Sequence, residues 1–337
     1  MNILVTGGCG FIGTNFIQTV FENKNDHIVN LDKLTYAGNP RNLEQFANDN
    51  RYTFVHGDIN DAALVATCLR EYKIDQLVHF AAESHVDRSI NDSSACVATN
   101  INGTHVLLEQ ARIYGLPLFV HVSTDEVYGT LGSTGYFTET TPLAPNSPYS
   151  ASKAASDLLA RAYFHTYNFP VITTRCSNNY GPYQFPEKLI PFMFERACKN
   201  EPLPIYGNGQ NVRDWIYVRD HCLGILAAIE HGKAGEIYNF GGSAERTNLE
   251  VVREILAFLD KPESLVTFVQ DRPGHDLRYA MDSGKAKREL GWKARMTFAQ
   301  GLQSTLEWYQ NNQKWLTNVK SGEYRNVIQQ WYNNRKK

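Results

Sequence analysis

Two adjacent carboxylates, Asp125 and Glu126, follow an apolar run at residues 118–122. Such a run predicts a buried parallel strand, and open α/β sheets hold ligands at the carboxyl ends of their strands. Like charges this close disfavour double ionisation, so one group can stay protonated as an acid while the other serves as a base. The pair indicates acid–base elimination, with the Thr124 hydroxyl orienting a substrate hydroxyl. The alternative is a solvated strand end, where the carboxylates only cap a turn.

A tyrosine and a lysine four residues apart, Tyr149 and Lys153, form a second candidate pair. Near the start of a predicted helix this spacing places both on one face. A phenol has a reference pKa of about 10, too high for a base at neutral pH. We expect the Lys153 ammonium to lower the pKa of Tyr149, so that Tyr149 can take an alcohol proton as hydride leaves the carbon. The alternative is a surface pair that contributes little stability.

Three glycines, Gly7, Gly10 and Gly13, follow a short apolar run and precede the apolar residues Phe11 and Ile12. A glycine turn lets backbone N–H groups approach a pyrophosphate, and the N-terminus of the following helix adds a favourable dipole. The same turn could also join a strand to a helix without any ligand.

Residues at the ends of the next predicted strands favour a dinucleotide. Asp32 lies about 20 residues after the glycines, where a carboxylate accepts hydrogen bonds from a ribose 2′-hydroxyl and repels a 2′-phosphate. That position favours NAD over NADP, although the neighbouring Lys33 weakens the preference. Small residues in segments 57–59 and 81–84 allow close approach to the adenine and the nicotinamide ribose. These features together predict an NAD site at one sheet edge.

The pattern of apolar runs indicates how these residues are positioned. Strands are predicted at 2–6, 27–31, 52–56, 76–80, 118–123 and 171–175, with 236–240 a later candidate, and helices at 11–22, 61–72, 95–114 and 150–167. This alternation predicts an α/β fold, a Rossmann-type doubly wound parallel sheet. After residue 176 prolines and polar loops interrupt shorter helices, which predicts a smaller mixed α/β substrate-binding lobe. We expect residues 1–177, with 211–235 returning, to form the NAD-binding domain and 178–337 mainly the second lobe.

Composition excludes several classes of protein. The 337 residues are 42% hydrophobic and 20% charged, an ordinary globular balance. A net charge of −2 gives no reason to expect nucleic acid or an anionic membrane as a partner. The six cysteines are scattered without metal-ligand spacing, so we expect no metal and a reducing, cytoplasmic setting. Neither a leader nor a membrane span is expected from the sequence.

Long motifs resemble a known family. Segments 81–89, 177–191, 211–215 and 271–279, with Thr-Asp-Glu at 124–126, resemble the extended short-chain dehydrogenases/reductases, and most closely the nucleotide-sugar 4,6-dehydratases of the dTDP-glucose type. Epimerases of the same superfamily typically carry Ser-Ser or Ser-Ala at the positions of Asp125 and Glu126. The resemblance extends over nearly the whole chain.

The resemblance implies a mechanism for dTDP-glucose. Tyr149, assisted by Lys153, would deprotonate the 4-hydroxyl while hydride passes from C4 to NAD. The 4-ketone acidifies the C5 proton, which Glu126 would remove while Asp125 protonates the departing C6 hydroxyl. Hydride then returns to C6. The implied catalytic residues are Thr124, Asp125, Glu126, Tyr149 and Lys153.

The resemblance also implies two sets of binding residues. The cofactor set is Gly7, Gly10, Phe11, Ile12, Gly13, Asp32, Lys33, Thr35, Asp58, Ile59, Phe80, Ala81, Ala82, Ser84, Thr99, Ser123, Tyr149, Lys153 and Asn179. The substrate set is Ser84, Thr124, Asn178, Glu187, Lys188, Leu189, Pro204, Tyr206, Arg213, Asn248, Arg272, His275 and Tyr279. Arginine suits a diphosphate because its guanidinium donates two parallel charge-assisted bonds.

Alternatives remain open at this point. A 4-epimerase, or a dehydratase of UDP- or GDP-hexoses, is the nearest alternative, and a non-catalytic NAD-sensing protein on the same fold is a remote one. Helices 95–114 and 150–167 resemble the pair through which this superfamily forms homodimers. Their apolar faces could equally pack on the sheet.

Overall fold

The computed structural model describes residues 1–271 and 274–322. Within these ranges the strands are β1 (Asn2–Thr6), β2 (His27–Asp32), β3 (Tyr52–His56), β4 (Gln76–His79), β5 (Leu118–Thr124), β6 (Val171–Cys176), β7 (Asn178–Tyr180), β8 (Leu203–Tyr206), β9 (Val212–Tyr217), β10 (Ile237–Phe240), β11 (Glu245–Thr247) and β12 (Val266–Val269).

The α-helices are α1 (Phe11–Asn23), α2 (Ala62–Glu71), α3 (Val86–Asn91), α4 (Ser94–Cys96), α5 (Thr104–Tyr114), α6 (Pro148–Tyr167), α7 (Leu189–Cys198), α8 (Val218–His231), α9 (Asn248–Phe258), α10 (Gly284–Leu290), α11 (Phe298–Asn311) and α12 (Gln313–Ser321). A π-helix spans Val97–Gly103, and 3₁₀ turns span Pro40–Phe46, Asp125–Tyr128 and Glu263–Leu265.

The large sheet has the strand order β10-β6-β5-β4-β1-β2-β3, and its neighbouring strands pair in parallel. The order reverses at β1, which pairs with β2 on one side and β4 on the other. Ligands of open α/β sheets bind at such a reversal, outside the carboxyl ends of the strands. The predicted doubly wound sheet is confirmed, and segment 236–240 supplies its seventh strand.

Apolar clusters cover both faces of this sheet. On one face, Phe16 of α1 and Ile225 of α8 pack with β-strand residues such as Val120. On the other face, Leu69 of α2 and Leu107 of α5 belong to the second cluster. Because both faces are covered, the strands read as nearly continuous apolar runs rather than as alternating patterns.

The predicted helix at 95–114 is wrong as a single α-helix. The structure divides it into α4, the π-helix Val97–Gly103 and α5. Within the wider turn the Asn100 amide bonds both the backbone N–H and the carbonyl of Glu83, at 2.9 and 3.0 Å. π-turns within α-helices are uncommon and recur at functional sites. Here the turn ties the helix to the loop after β4, which borders the cleft described below.

The second part of the chain forms two smaller sheets, β11-β9-β7 and β12-β8, around a core that includes Phe194, Trp215 and Tyr309. Strand β9 pairs in parallel with β7 and antiparallel with β11, so this part is mixed α/β. Within the predicted returning segment 211–235, β9 belongs to the smaller sheet, whereas α8 packs in the cluster with α1. The chain then enters the large sheet through β10. The domain boundaries themselves stay a prediction.

Candidate active site

The first turn after β1 brings the backbone close to the neighbouring strand. Gly7 has φ +73°, and a Cβ there would lie 2.7 Å from the backbone of Ala81. A Cβ on Gly13 would lie 2.4 Å from the carbonyl oxygen of Gly7. Side chains at these two positions would fill the turn, which is the packing reason for glycine in a phosphate-binding loop. Helix α1 begins directly after Gly10.

Asp32 ends β2 with its carboxylate held in place. Its two oxygens accept hydrogen bonds from the backbone N–H groups of Cys9 at 2.9 Å and Leu34 at 2.8 Å. Each oxygen keeps a further lone pair for a ribose hydroxyl. The neighbouring Lys33 forms an ion pair with Asp58 at 2.7 Å. Lys33 therefore does not offset the negative charge of Asp32, and the preference for a 2′-hydroxyl over a 2′-phosphate is strengthened.

One cleft runs along the carboxyl ends of β1, β2, β3, β4, β5 and β6. The structure places every residue of the expected cofactor and catalytic sets on its wall. These residues are Gly7, Gly10, Phe11, Ile12, Gly13, Asp32, Lys33, Thr35, Asp58, Ile59, Phe80, Ala81, Ala82, Ser84, Thr99, Ser123, Thr124, Asp125, Glu126, Tyr149, Lys153 and Asn179.

Asp125 is the buried acid of the cleft, with an exposed fraction of 2%. Burial, followed by the charge of Glu126, raises the pKa of Asp125 well above its usual value. One oxygen accepts from the Thr124 hydroxyl at 3.2 Å, and the other, Oδ2, is buried without a hydrogen-bond partner. A carboxyl group in these surroundings holds its proton more tightly than an exposed one and can serve as an acid. The Thr124 hydroxyl also accepts from the backbone N–H of Glu126 at 3.3 Å.

The expected lowering of the Tyr149 pKa by Lys153 is wrong for this structure. Burial, followed by the charge of Glu126, raises the pKa of Tyr149 well above its usual value. The Lys153 ammonium instead donates to the carbonyl oxygen of Val122 at 2.8 Å. Burial also lowers the pKa of Lys153 to about 8. In this state Tyr149 is a phenol and holds its proton at neutral pH.

The expected substrate residues fall into two groups. Ser84, Thr124, Asn178, Glu187 and Lys188 line the cleft. Beyond its wall lie Leu189, Pro204, Tyr206, Arg213, Asn248, His275 and Tyr279. Arg272 lies outside the described residues.

Arg213 and Tyr279 connect the second group to the acid–base pair. The Arg213 guanidinium lies 4.3 Å from the centre of the Tyr279 ring and donates to the carbonyl oxygen of Asp276 at 3.0 Å. The charge of Arg213 favours the ionised form of Asp125, which places the two groups within electrostatic reach. The segment 274–279 and strand β9 therefore lie close to the end of the cleft that holds Asp125 and Glu126.

A cluster of ion pairs around Glu187 connects three segments at the border of the cleft. The Glu187 carboxylate accepts from Arg88 at 3.0 Å and lies 3.4 Å from the ring Nε2 of His85. The Arg88 guanidinium also lies 3.8 Å from the centre of the Tyr36 ring. The loop after β2, helix α3 and the segment before α7 thus meet at one carboxylate.

Among residues 1–271 and 274–322, no group of three His, Cys, Asp or Glu side chains is placed to hold a metal ion. Within the same described ranges, every helix is too short or too polar to span a bilayer.

The chain is similar in sequence to known enzymes over nearly its whole length. The sequence profile of the GDP-mannose 4,6 dehydratase family matches residues 4–305. A dTDP-glucose 4,6-dehydratase of Xanthomonas campestris pv. campestris is 54% identical over 96% of this chain and 97% of its own length. The chain belongs to the nucleotide-sugar 4,6-dehydratase family.

Other members of the dehydratase family agree with this assignment. The dTDP-glucose 4,6-dehydratase of Salmonella typhimurium is 50% identical over 99% of this chain and 100% of its own length. The crystal structure of the dTDP-glucose 4,6-dehydratase DesIV from Streptomyces venezuelae, with NAD and a thymidine nucleotide bound, superimposes with a TM-score of 0.92. That protein is 51% identical and the match covers 95% of this chain and 100% of DesIV.

Several lining residues of this dehydratase-family cleft were missed by sequence reasoning. Tyr36 and Cys176 both line the cleft. Tyr36 lies four residues after the end of β2, and Cys176 is the last residue of β6. Both would have been found if a few more positions after each predicted strand had been counted as candidate site residues. Gln184 and Phe185 line it from an irregular loop. Nothing in the local sequence pattern separates those two from other loop residues.

Proposed function

We propose that this chain is a hydro-lyase that dehydrates dTDP-glucose to dTDP-4-keto-6-deoxyglucose with bound NAD. The observation that carries the proposal is the buried Asp125, whose pKa is raised by burial and by its neighbour Glu126, in one cleft with Tyr149. A simple dehydrogenase or a 4-epimerase has no use for such an acid–base pair. Membership of the 4,6-dehydratase family supports the same reaction.

The residues of the cleft fit NAD. The cradle at Gly7 and Gly13 has no room for side chains, and the anchored Asp32 carboxylate suits a 2′-hydroxyl. Phe11, Asp58 and Thr99 would complete the dinucleotide site along the same wall. NAD, when bound, supplies a hydride acceptor for C4 of the sugar and later a hydride donor for C6.

Tyr149 starts the reaction by taking the proton of the 4-hydroxyl, after its own phenol proton has been released to solvent on binding of substrate and cofactor. Interaction with the Thr124 side chain lowers the pKa of Tyr149 and so partly opposes the effects of burial and of Glu126. Lys153 is buried next to it and supplies positive charge on the same helix face. Because two carboxyl groups raise the pKa of Tyr149, the protonated state of Asp125 assists the tyrosine as well as the leaving group.

Elimination uses the carboxyl pair. A ketone at C4 acidifies the C5 proton, which Glu126 removes while Asp125 gives its proton to the C6 hydroxyl. That hydroxyl leaves as water, and Glu126 returns a proton to C5 as C6 is reduced. Tyr149 has then gained one proton and Asp125 has lost one, so a proton must pass back before the next turnover.

The nucleotide end of the substrate is assigned to residues of both groups. Arg213, Lys188 and His275 offer donors for the diphosphate, and Asn248 begins α9. Ser84, Asn178, Glu187, Leu189, Pro204, Tyr206, Arg272 and Tyr279 complete the proposed set.

The test of this function is incubation with dTDP-glucose in D₂O, followed by NMR of the sugar. We expect a 4-keto-6-deoxy product that carries deuterium at C5, because Glu126 exchanges its proton with solvent. A galacto-configured product would indicate epimerisation instead. Turnover of UDP- or GDP-glucose but not of dTDP-glucose would show that the enzyme acts on a different nucleotide sugar. Absence of turnover with every hexose nucleotide would contradict the proposal.

A Gly13→Ala variant is expected to bind NAD at least about tenfold more weakly, which corresponds to ~1.4 kcal/mol. The added Cβ would lie 2.4 Å from the Gly7 carbonyl oxygen and 2.7 Å from the Gly8 Cα, so the cradle must shift. Titration calorimetry with NAD measures the effect. Gly132→Ala is the matched control, because its Cβ meets no atom within 4 Å. Equal affinities for both variants would contradict the cradle assignment.

The proposal extends to assembly and location. Ile113 on α5, with Leu158 and Tyr167 on α6, are exposed by more than half of their surface. Apolar patches of this kind mark interaction sites, so we propose a homodimer formed through α5 and α6. Light scattering would show the mass of one chain if this is wrong. The six cysteines, all within the described residues, are free thiols, which suits the proposed cytoplasmic location.

A further inference from the structure

A buried polar cluster lies behind Lys153, on the side of α6 that faces the sheet. Lys153 is 4% exposed, and Asp157, one helical turn later, is 3% exposed. The spacing of four residues places both on the same face of α6. Bulk water cannot hydrate either buried charge, so the stability of each charged form depends on the protein groups around it.

Asp157 is anchored from two strands. Its carboxylate accepts from Nε of Arg175 on β6 at 2.8 Å and from Nε2 of His121 on β5 at 3.1 Å. The Ser156 hydroxyl lies 3.2 Å from the same His121 nitrogen and donates to the Lys153 carbonyl oxygen at 2.8 Å. The bonds from Arg175 and His121 fix the carboxylate at one position relative to the helix turn that carries Lys153.

The groups that face Lys153 come from every element packed against it. They are His79 on β4, His121 on β5, Cys176 on β6 and Asp157 on α6. Arg175 on β6 joins the cluster through its bond to Asp157, and Tyr149 lies one turn before Lys153 on α6. Burial lowers the pKa of both histidines, so they are neutral at pH 7. Burial likewise raises the pKa of Cys176 and Tyr149. The ionised neighbours at pH 7 are therefore the carboxylate of Asp157 and the guanidinium of Arg175.

We infer that Asp157 is a positioning residue whose fixed negative charge keeps the Lys153 side chain an ammonium, with Arg175 acting in the opposite direction. The inference rests on the proposed function for the use of Lys153 in catalysis. Its physical part, the coupling of three buried charges, is independent of the substrate.

The directions of the pKa shifts agree with this geometry. Burial lowers the pKa of Lys153 to about 8, and Asp157 opposes that lowering. The pKa of Asp157 lies at about 2, although burial alone would raise it, because His121 and Arg175 donate to the carboxylate. Asp157 is thus ionised across the whole range in which Lys153 titrates. Lys153 is charged below its pKa, so loss of Asp157 moves the loss of the ammonium to lower pH.

The experiment measures the titration of Lys153 by NMR on ¹³C-lysine-labelled protein, with the resonance assigned by Lys153→Arg. In Asp157→Asn we expect the midpoint to fall by about one pH unit or more, the usual effect of one opposite charge nearby. In Arg175→Gln we expect it to rise, since the opposing cation is gone. Ser156→Ala changes no charge and is expected to keep the wild-type midpoint.

The alkaline limb of kcat with dTDP-glucose is then measured on the same variants and is expected to move in parallel. Opposite shifts of the two charge variants support the inference, because a purely structural role gives no reason for opposite signs. Unchanged midpoints, or shifts in the same direction, overturn it. If Asp157→Asn does not fold, the titration midpoint of Lys153 in Arg175→Gln tests the inference on its own, and a midpoint that does not rise overturns it. Shifted midpoints without turnover of dTDP-glucose would refute the proposed function and leave the charge coupling supported.

Discussion

An Asp125→Asn variant is expected to lose product formation by about 10²–10⁴-fold, which is the usual contribution of a positioned acid. The amide has nearly the shape of the carboxyl group but has no acidic proton to give to the C6 hydroxyl. Removal of the C5 proton depends on Glu126 and is expected to continue. NMR in D₂O separates the two steps, because deuterium would enter the substrate at C5 while the 6-deoxy product stays absent.

The control for this variant is Asp260→Asn, which makes the same chemical change at an exposed position where asparagine tolerates the φ of +52°. We expect wild-type turnover from it. Glu126→Gln completes the comparison, since it should abolish deuterium entry at C5. Full-rate product formation in both Asp125→Asn and Glu126→Gln would show that the two carboxyl groups are not the acid and base of the elimination.

Tyr149→Phe is expected to lower turnover by about 10²–10⁴-fold before any elimination occurs. Tyr149 is 8% exposed, and phenylalanine keeps its packing while it removes the oxygen that takes the 4-hydroxyl proton. Deuterium entry at C5 should therefore disappear together with the product, which distinguishes this variant from Asp125→Asn. Single-turnover measurements of sugar oxidation provide the direct readout.

Tyr163→Phe is the matched control on the same helix. Its hydroxyl donates to Glu109 at 2.9 Å, and loss of that bond should cost about 1 kcal/mol of stability with no loss of activity. If Tyr149→Phe retained the C5 exchange of the wild type, another group would have to remove the hydroxyl proton. Because Tyr149 is a phenol in the present structure, its ionisation must accompany binding of substrate and cofactor rather than precede it.

The positions of the site residues could be predicted because parallel strands end at a common edge. Gly7, Asp32, Ala81 and Asp125 are far apart in the chain, yet each lies at or just after the end of a strand of one sheet. The apolar runs identified those strands, and the parallel arrangement of the sheet brings their carboxyl ends to one edge. Cys176 was missed only because the predicted strand stopped one residue early.

Other properties depend on three-dimensional surroundings that spacing does not encode. The pair Tyr149 and Lys153 was predicted to interact through charge, but the ammonium points to a carbonyl oxygen of β5 and burial dominates both pKa values. The π-turn at Val97–Gly103 depends on bonds between Asn100 and a loop 17 residues away. Neither feature leaves a periodic signal in the sequence.

The order of the strands has a consequence for synthesis of the protein. Strand β10 lies at the edge of the large sheet next to β6, although about sixty residues that include β7, β8 and β9 separate the two in the chain. While the ribosome is still producing that stretch, β6 presents an unpaired edge, which is a template for unwanted association with other chains. A nascent chain cut short before residue 237 would keep that edge permanently open, so we expect such a truncated chain to associate with other chains more readily than the full one.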